Sequence, residues 1–486
     1  METEIEQVNK KENKENKTSL KNGILSVIGA CIINLIYPSV FSLCTFVVYE
    51  TSYIKNHGGN VNINHTIFYY PVLLLFQSIF GLIGGYIYTR IDVHWTNLLG
   101  TILVILGSLI LYLSKSFVVD MISMAIFGIS VAVIMYPAVT NACKYFMNHL
   151  GLINGIVETA ISVGSTIFAF VGEKIINPNN IPSRDDDFFY DEEIAKNIKK
   201  FLLIQMGCVL GSFIIGFICI KKHDEAGENL NKNEQEKNLA SSDNVNKNNN
   251  NENKENNDGN NNETNNVNIY KNDETKNKNI KKEKLKKALK SWKFWRFNII
   301  SLSISPINNM VFSMYRGIGE SKKINQTVLQ LIGTLNFIVE LIFSFVYGIL
   351  CDYVNFKILL FTMNIIGTVV GFTYCLTFNN TFSFTLLTLL ITVQGSAYYS
   401  LKDYQIMKIF GTDIYVDLSG FLCLFTGILV IILTFITYWV EQLLEEKDTA
   451  YWIMFCIFGG INGIGLVLGF FEDDKPFEYE ENVNKN

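Results

Sequence analysis

The sequence predicts an all-α polytopic membrane protein with twelve transmembrane helices in two six-helix pseudo-repeats. Composition is the first observation behind this. Of 486 residues, 49% are hydrophobic, 13% aromatic and only 17% charged, and the mean hydropathy is positive, a balance seldom met in soluble globular chains of this size. The second is that the apolar residues come in blocks long enough to cross a hydrocarbon core, which takes about 20 residues per helix. The third is that the blocks fall into two sets of six, separated by one long hydrophilic stretch.

In chain order the first set covers 22–47, 66–89, 95–114, 118–142, 150–172 and 200–220. The second covers 295–316, 326–350, 357–377, 382–404, 414–440 and 450–471. Together they define an N-terminal bundle (22–220) and a C-terminal bundle (294–471). Residues 1–21 mix acidic and basic groups and are expected to form a disordered cytoplasmic tail, unlike a cleavable signal or an acid-poor transit peptide. Residues 221–293, with "NNNNENKENNDGNNNETNN", cannot bury enough apolar surface to offset their ordering entropy, so a disordered linker is expected. Residues 472–486 form an acidic tail.

Lysines set the orientation. The N-terminal tail and the linker end "KKEKLKKALKSWKFWR" are both Lys-rich, which places them on the cytoplasmic side, and an even number of spans returns the C-terminus there. The loop Glu173–Lys200 is the exception, since its five basic residues then face outward. The basic run before Trp292 suits anionic lipid headgroups better than nucleic acid. The net charge of −5 is carried mostly by tails and loops, and the nine cysteines all lie within or at the ends of spans, which suits packing rather than disulfides or zinc.

The two sets match at corresponding places. The first helix of set one carries "NLIYPSVFS" and that of set two "SISPINNMVFS", each with a mid-span proline whose freed backbone groups need partners inside the protein or in a wet cavity. After the second helix of each set come "GGYIYTRIDVHW" and "GILCDYVNFK". These junctions resemble the Gly-x-x-x-Asp-Arg-x-Gly-Arg/Lys motif of the major facilitator superfamily. Gly348, Asp352 and Lys357 match its second copy. In the first copy Gly85 and Arg90 match, but Thr89 stands where the family has Asp, and Asp92 where it has Gly. The resemblance implies a cytoplasmic latch between the halves formed by these residues, weakened in the first half.

"YPAVTNACKYFMNHLGLINGIVETAISVGS" is similar to the fourth-to-fifth-helix signature of monocarboxylate and oxalate/formate-type transporters, through Tyr145, Phe146, Gly151, Leu152, Gly155 and Gly164. Phe410, Gly411 and Gly420 resemble its counterpart in the second half. Those subfamilies place an arginine or lysine within a span to hold the substrate carboxylate, whereas here Lys144 and Lys402 are expected at cytoplasmic helix ends and Arg316 at the outer end of the seventh helix.

Charges inside spans are costly and usually face the bundle interior. On the fifth helix Gly151, Gly155, Glu158 and Ser162 share a face, and on the eighth Gly333, Asn336, Glu340, Ser344 and Gly348 do the same. Glu158 and Glu340 are therefore candidates for proton coupling or for counter-charge to an amine, the alternative being interhelical structural bonds. Asn34, Tyr37, Asn308, Asn309, Gln394 and Tyr398 are candidate cavity-lining groups, each of which would serve equally as a packing residue. Arg316 is a candidate for the outer vestibule.

"GGINGIG" lies within a span with no strand before it, so it suits helix packing rather than nucleotide binding. No Walker loop, HExxH or Ser-His-Asp setting occurs, and no enzyme activity or cofactor is expected. The expectation is a secondary active transporter working by alternating access, with a monocarboxylate-type anion implied by the resemblance and proton coupling as the functional reading of Glu158 and Glu340. An amino acid or other cationic or zwitterionic solute is the alternative that follows from the missing central cation. A membrane sensor or scaffold without transport is the alternative of another class. A functional monomer in contact with lipid, in the plasma membrane or else an organellar one, completes the expectation, with no nucleic-acid partner.

Overall fold

The computed structural model of the chain describes residues 2–37, 39–61, 63–88, 91–179, 181, 184, 189–221, 279–377, 380–444, 447–472 and 475–477. Twelve long helices order them: α1 Glu2–Ile36, α2 Tyr69–Tyr88, α3 Val93–Leu113, α4 Phe117–Lys144, α5 Leu150–Ile176 and α6 Asn197–Cys219 in the first half. The second half has α7 Trp292–Ser321, α8 Gln326–Tyr353, α9 Phe356–Thr373, α10 Thr381–Phe410, α11 Tyr415–Leu443 and α12 Lys447–Gly469. No strand occurs among the described residues. "Inner" below denotes the side of the α1 N-terminus.

Among the described residues eleven helices are long and apolar enough to cross a membrane. The other is α7, which is as long but carries buried Asn298, Ser301, Ser303, Ser305 and Asn309. Its polar side turns inward, so it is a central helix whose average apolarity is lowered by what it buries. The outer surfaces of α3, α6 and α9 present exposed apolar residues such as Ile102, Leu106, Ile214, Phe217 and Val369, as lipid-facing helices must. All five tryptophans (Trp95, Trp292, Trp295, Trp439 and Trp452) are exposed near helix ends, where interfacial aromatic belts sit.

Several boundaries differ from the sequence expectation. The polar stretch 2–21 continues the first helix instead of forming a separate tail, consistent with its content of good helix formers, although only Thr18–Leu43 is apolar enough to span. The proline repeat is asymmetric. α1 stops at Ile36 and the chain restarts as a short helix at Ser39–Leu43, whereas Pro306 lies inside an unbroken α7. The linker expectation holds no structure for its last part, yet residues 279–290 are helical, with Ala288 in the core. Lys281 and Lys284 lie 3.2 Å from Asp417 and 3.5 Å from Asp413, so protein carboxylates answer two cations of the basic run. The start of the acidic tail also docks: buried Glu472 accepts from Arg296 Nε at 2.6 Å, and Phe477 N–H donates to Ile409 at 2.8 Å. The rest of the linker and of that tail lies outside the described residues.

The two halves meet along two helix pairs, α5 with α8 and α2 with α11. Glycines allow the approach. A Cβ on Gly155 would stand 2.8 Å from Gly348 Cα, and one on Gly420 would stand 3.0 Å from the Gly81 carbonyl. The predicted glycine stripes of α5 and α8 thus face each other, backbone against backbone. On the inner side a single apolar cluster crosses the seam, joining Val139, Ile153 and Val157 to Tyr347, Cys351 and Tyr398. Two further clusters lie one in each half.

Candidate functional site

One departure in a helix boundary decides the site. The run "SLKDYQIMKIF" continues α10 without Gly or Pro until Gly411, so α10 ends at Phe410 and not near 404. Lys402 then lies inside the helix, about 12 Å from its inner end at 1.5 Å per residue. Lys402 is only 4% exposed and Asp403 only 2%. Lys402 is therefore not at the helix end where the sequence places it, but about two turns inside. The cause is local: two adjacent charges end an apolar block in the sequence, but the helix runs on through them because neighbouring helices supply partners.

Lys402 Nζ stands 3.5 Å from Asp403 Oδ1 and 3.6 Å from Cys423 Sγ of α11, and 5.7 Å from the ring centre of Tyr398, one turn earlier. Ser419 of α11 donates to Asp403 Oδ1 at 3.2 Å. From the opposite half comes Glu158, about 12 Å along α5 from its inner end, hence level with Lys402. The Glu158 carboxylate is 6% exposed, and its Oε1 has no hydrogen-bond partner among the described residues. It lies within electrostatic reach of Lys402, Asp403 and Glu340. Asn154, one turn below it and fully buried, likewise has no partner for either side-chain polar atom among the described residues.

Glu340 is half-buried and lies about 20 Å from the inner end of α8, deeper than the other three. Glu158 of the first half and Lys402 and Asp403 of the second therefore lie near one another where α5 and α10 meet, with Glu340 of α8 deeper and within electrostatic reach of Glu158 alone. Unsatisfied buried polar atoms are rare in folded proteins and each is costly unless something else completes it. A polar solute, water or a proton would do so here.

The other candidates divide. Tyr398 belongs to the cluster. Gln394 donates to Asn462 Oδ1 at 2.8 Å while its own Oε1 has no partner among the described residues. Asn309 accepts from Tyr70 of the first half at 3.3 Å and donates to Ser305 at 2.8 Å. Asn308 packs against Gly395 of α10. Asn34 bonds its own helix through the Ala30 carbonyl at 2.9 Å, and Tyr37 bonds Thr101 of α3 within the first bundle. The side chains of Arg316, Gly85 and Arg90 lie outside the described residues.

At the inner end Asp352 accepts from the Gly151 and Leu152 N–H groups at 3.3 and 3.0 Å. A carboxylate of the second half thus caps the α5 N-terminus of the first, where the helix dipole favours negative charge. Gly348 provides the close contact one turn earlier. Lys357 instead donates to the Phe470 carbonyl just past α12, within its own half. At the outer end Glu173 Oε1 of α5 accepts from Tyr49 at 2.8 Å and from Gln330 of α8 at 3.0 Å. α5 is thus clasped to α8 at both ends.

Comparison with known proteins bears on the fold. Residues 2–177 match the family model described as Major Facilitator Superfamily. No curated relative matches the sequence. Among solved structures, the proton:xylose symporter XylE bound to 6-bromo-6-deoxy-D-glucose is similar with TM-score 0.64 at 12% identity, over 94% of this chain and 97% of that one. The Major Facilitator Superfamily transporter FucP, in the outward conformation, gives TM-score 0.61 at 11% identity, over 93% and 99%. The human organic anion transporter TETRAN gives 0.58 at 9%, again over 93% and 99%. By the match over residues 2–177 and by the fold over nearly its whole length, the chain has the architecture of the Major Facilitator Superfamily.

Proposed function

We propose that this protein is a secondary active transporter that carries a small organic anion, of the monocarboxylate type, by alternating access of a site between its halves. The observation that supports this reading is the convergence of Glu158 with Lys402, Asp403 and Glu340 across the seam between the halves. A seam with only a packing role gains nothing from burying Glu158, Lys402 and Asp403 there. Lys402 supplies the cation that a carboxylate substrate needs, and Glu158 and Glu340 take up and release the coupling proton. Asn309, Gln394 and Tyr398 line the path above it. The protein works as a monomer in the plasma membrane, without a cofactor.

The excess of carboxylates over ammonium favours a second reading, in which the solute carries an amine and Glu340 receives it. Uptake into proteoliposomes separates the two. Lactate or pyruvate should accumulate when the outside is made acidic, whereas alanine, lysine and xylose should not. Accumulation of amino acids alone would reject the anion, and no flux of any solute would leave the scaffold reading.

The inner clasp makes a separate prediction. Asp352→Asn keeps the shape but removes a charge at a helix N-terminus, a loss of about 0.5–2 kcal/mol in the inner-closed state. The population should move toward the inner-open state by about 2- to 30-fold. Alkylation of Cys351, buried beside the clasp, should speed up accordingly when reagent is applied from the inner side. An unchanged rate would deny Asp352 a latch role.

A further inference from the structure

A second set of buried charges lies far from the seam, at the outer end of the first bundle, and the transport reading makes no use of it. Glu50 sits on the short helix Val47–Asn56 that follows α1. Lys199, near the start of α6, donates to Glu50 Oε1 at 2.6 Å and to the Leu111 carbonyl of α3 at 2.7 Å, with its ammonium 4.4 Å from the Tyr53 ring centre. Asp120, near the start of α4, accepts from Tyr69 of α2 at 2.6 Å. Glu50 is 1% exposed and Asp120 not at all. The two carboxylates are close enough to repel each other, and both feel Lys199. Glu50 Oε2 has no hydrogen-bond partner among the described residues.

The charge count is the key. Two carboxylates against one ammonium leave one negative charge in a buried setting, and a single proton removes it. The other ionisable groups around the cluster are Tyr53 and Cys44 on the chain after α1, Tyr69 of α2, Tyr112 of α3, Glu192 of the short helix Glu192–Ala195, and His57, whose ring stacks on Tyr53 at 4.2 Å. His57 lies 3.9 Å from Glu192, so any charge it takes up is answered there and not by the acid pair. Lys199 is one of the five basic residues of the outer loop that run against the orientation rule, and its charge is answered inside the protein.

The same short helix reaches the seam. Tyr49, the residue before Glu50, is the group that donates to Glu173, and Glu173 in turn accepts from Gln330 of the other half. Asn177 of the first half adds a bond to the Tyr49 hydroxyl at 3.4 Å. A shift of this helix therefore acts on the outer clasp directly.

We propose that Glu50 and Asp120 together hold one exchangeable proton from the outer side, and that its loss displaces the helix Val47–Asn56 and loosens the outer clasp between the halves. Geometry carries this: an acid pair with one cation, an unpartnered carboxylate oxygen, and a clasp residue adjacent in sequence. Burial, followed by the charge of Asp120, pushes the Glu50 carboxyl up from 4.5 to about 8, against the opposing pull of Lys199. An acid raised in the fold binds its proton more tightly there than in the unfolded chain. Its contribution to stability is thus full below about 4.5, declines as pH rises, and is gone above about 8. The clasp is expected to be protonated and closed at neutral pH and to open on the alkaline side.

Hydroxyl-radical footprinting of the full chain in detergent tests this without any substrate. Oxidation of Tyr49, which is fully buried, is read by mass spectrometry from pH 6.5 to 9.5, with Tyr374 of the second half as a control for unfolding. In the native chain Tyr49 oxidation should rise several-fold with a midpoint near 8 while Tyr374 stays flat. In Glu50→Gln the rise should vanish, and in Asp120→Asn the midpoint should move by at least one pH unit. A flat native profile, an unaltered midpoint in both variants, or misfolding of both variants at every pH would overturn the proposal, the last because it marks a cluster with a structural role only.

Discussion

Replacing Lys402 with methionine is expected to abolish uptake of an organic anion. The substitution preserves length and bulk while removing the ammonium. Alone, it strands Asp403 in a 2%-exposed site with Ser419 as its remaining hydrogen-bond donor, and breaking a buried pair by removing one member costs about 3–5 kcal/mol. Lost transport in that variant would therefore be ambiguous. The double variant Lys402→Met/Asp403→Asn removes both charges and should remain folded and monodisperse. Its initial uptake rate should still fall by about 100-fold, in line with the 2–5 kcal/mol carried by a buried charge contact to a ligand. Normal uptake by a well-folded double variant would show that Lys402 does not hold the substrate.

The second large effect belongs to Glu340. Glutamine there keeps size and polarity but cannot release a proton, and no hydrogen bond of Glu340 has to be broken among the described residues. A one-unit pH gradient is worth about 1.4 kcal/mol per proton, or roughly tenfold accumulation. With the outside acid, native vesicles should reach that order of accumulation, whereas Glu340→Gln vesicles should only equilibrate. Exchange of labelled for unlabelled solute, which needs no net proton movement, should persist. If accumulation survives in Glu340→Gln but fails in Glu158→Gln, the coupling proton belongs to α5. If both variants accumulate normally, the carrier is not coupled through either group.

Much of the site was legible in part. The stripe Gly151, Gly155, Glu158 shares one helix face by spacing alone, and so does Glu340, Ser344, Gly348. That these two stripes meet is a fact of packing, visible once Gly155 and Gly348 are in backbone contact. Asp352 was legible as a motif residue, but its partner was not, because the partner is a pair of backbone N–H groups on α5 and carries no side-chain signature. Asn34 and Tyr37 looked the same in sequence as Asn309 and Gln394. Only the structure shows that Asn309 bonds across the halves, to Tyr70, while Asn34, Tyr37 and Gln394 bond within their own.

What the sequence determined by itself is the membrane setting, the twofold division and the packing faces, because hydropathy, helical period and glycine spacing are properties of neighbours along the chain. What only the tertiary structure decided is which charges are buried and with whom. Lys402, Asp403, Glu50, Asp120 and Lys199 each stand at what reads as the edge of an apolar block, where a charge is usually solvated. They are inside because residues far apart in sequence bring opposite charges and hydrogen bonds to the same place. The cost of burying an ion depends on that company, and no window along the chain can sum it.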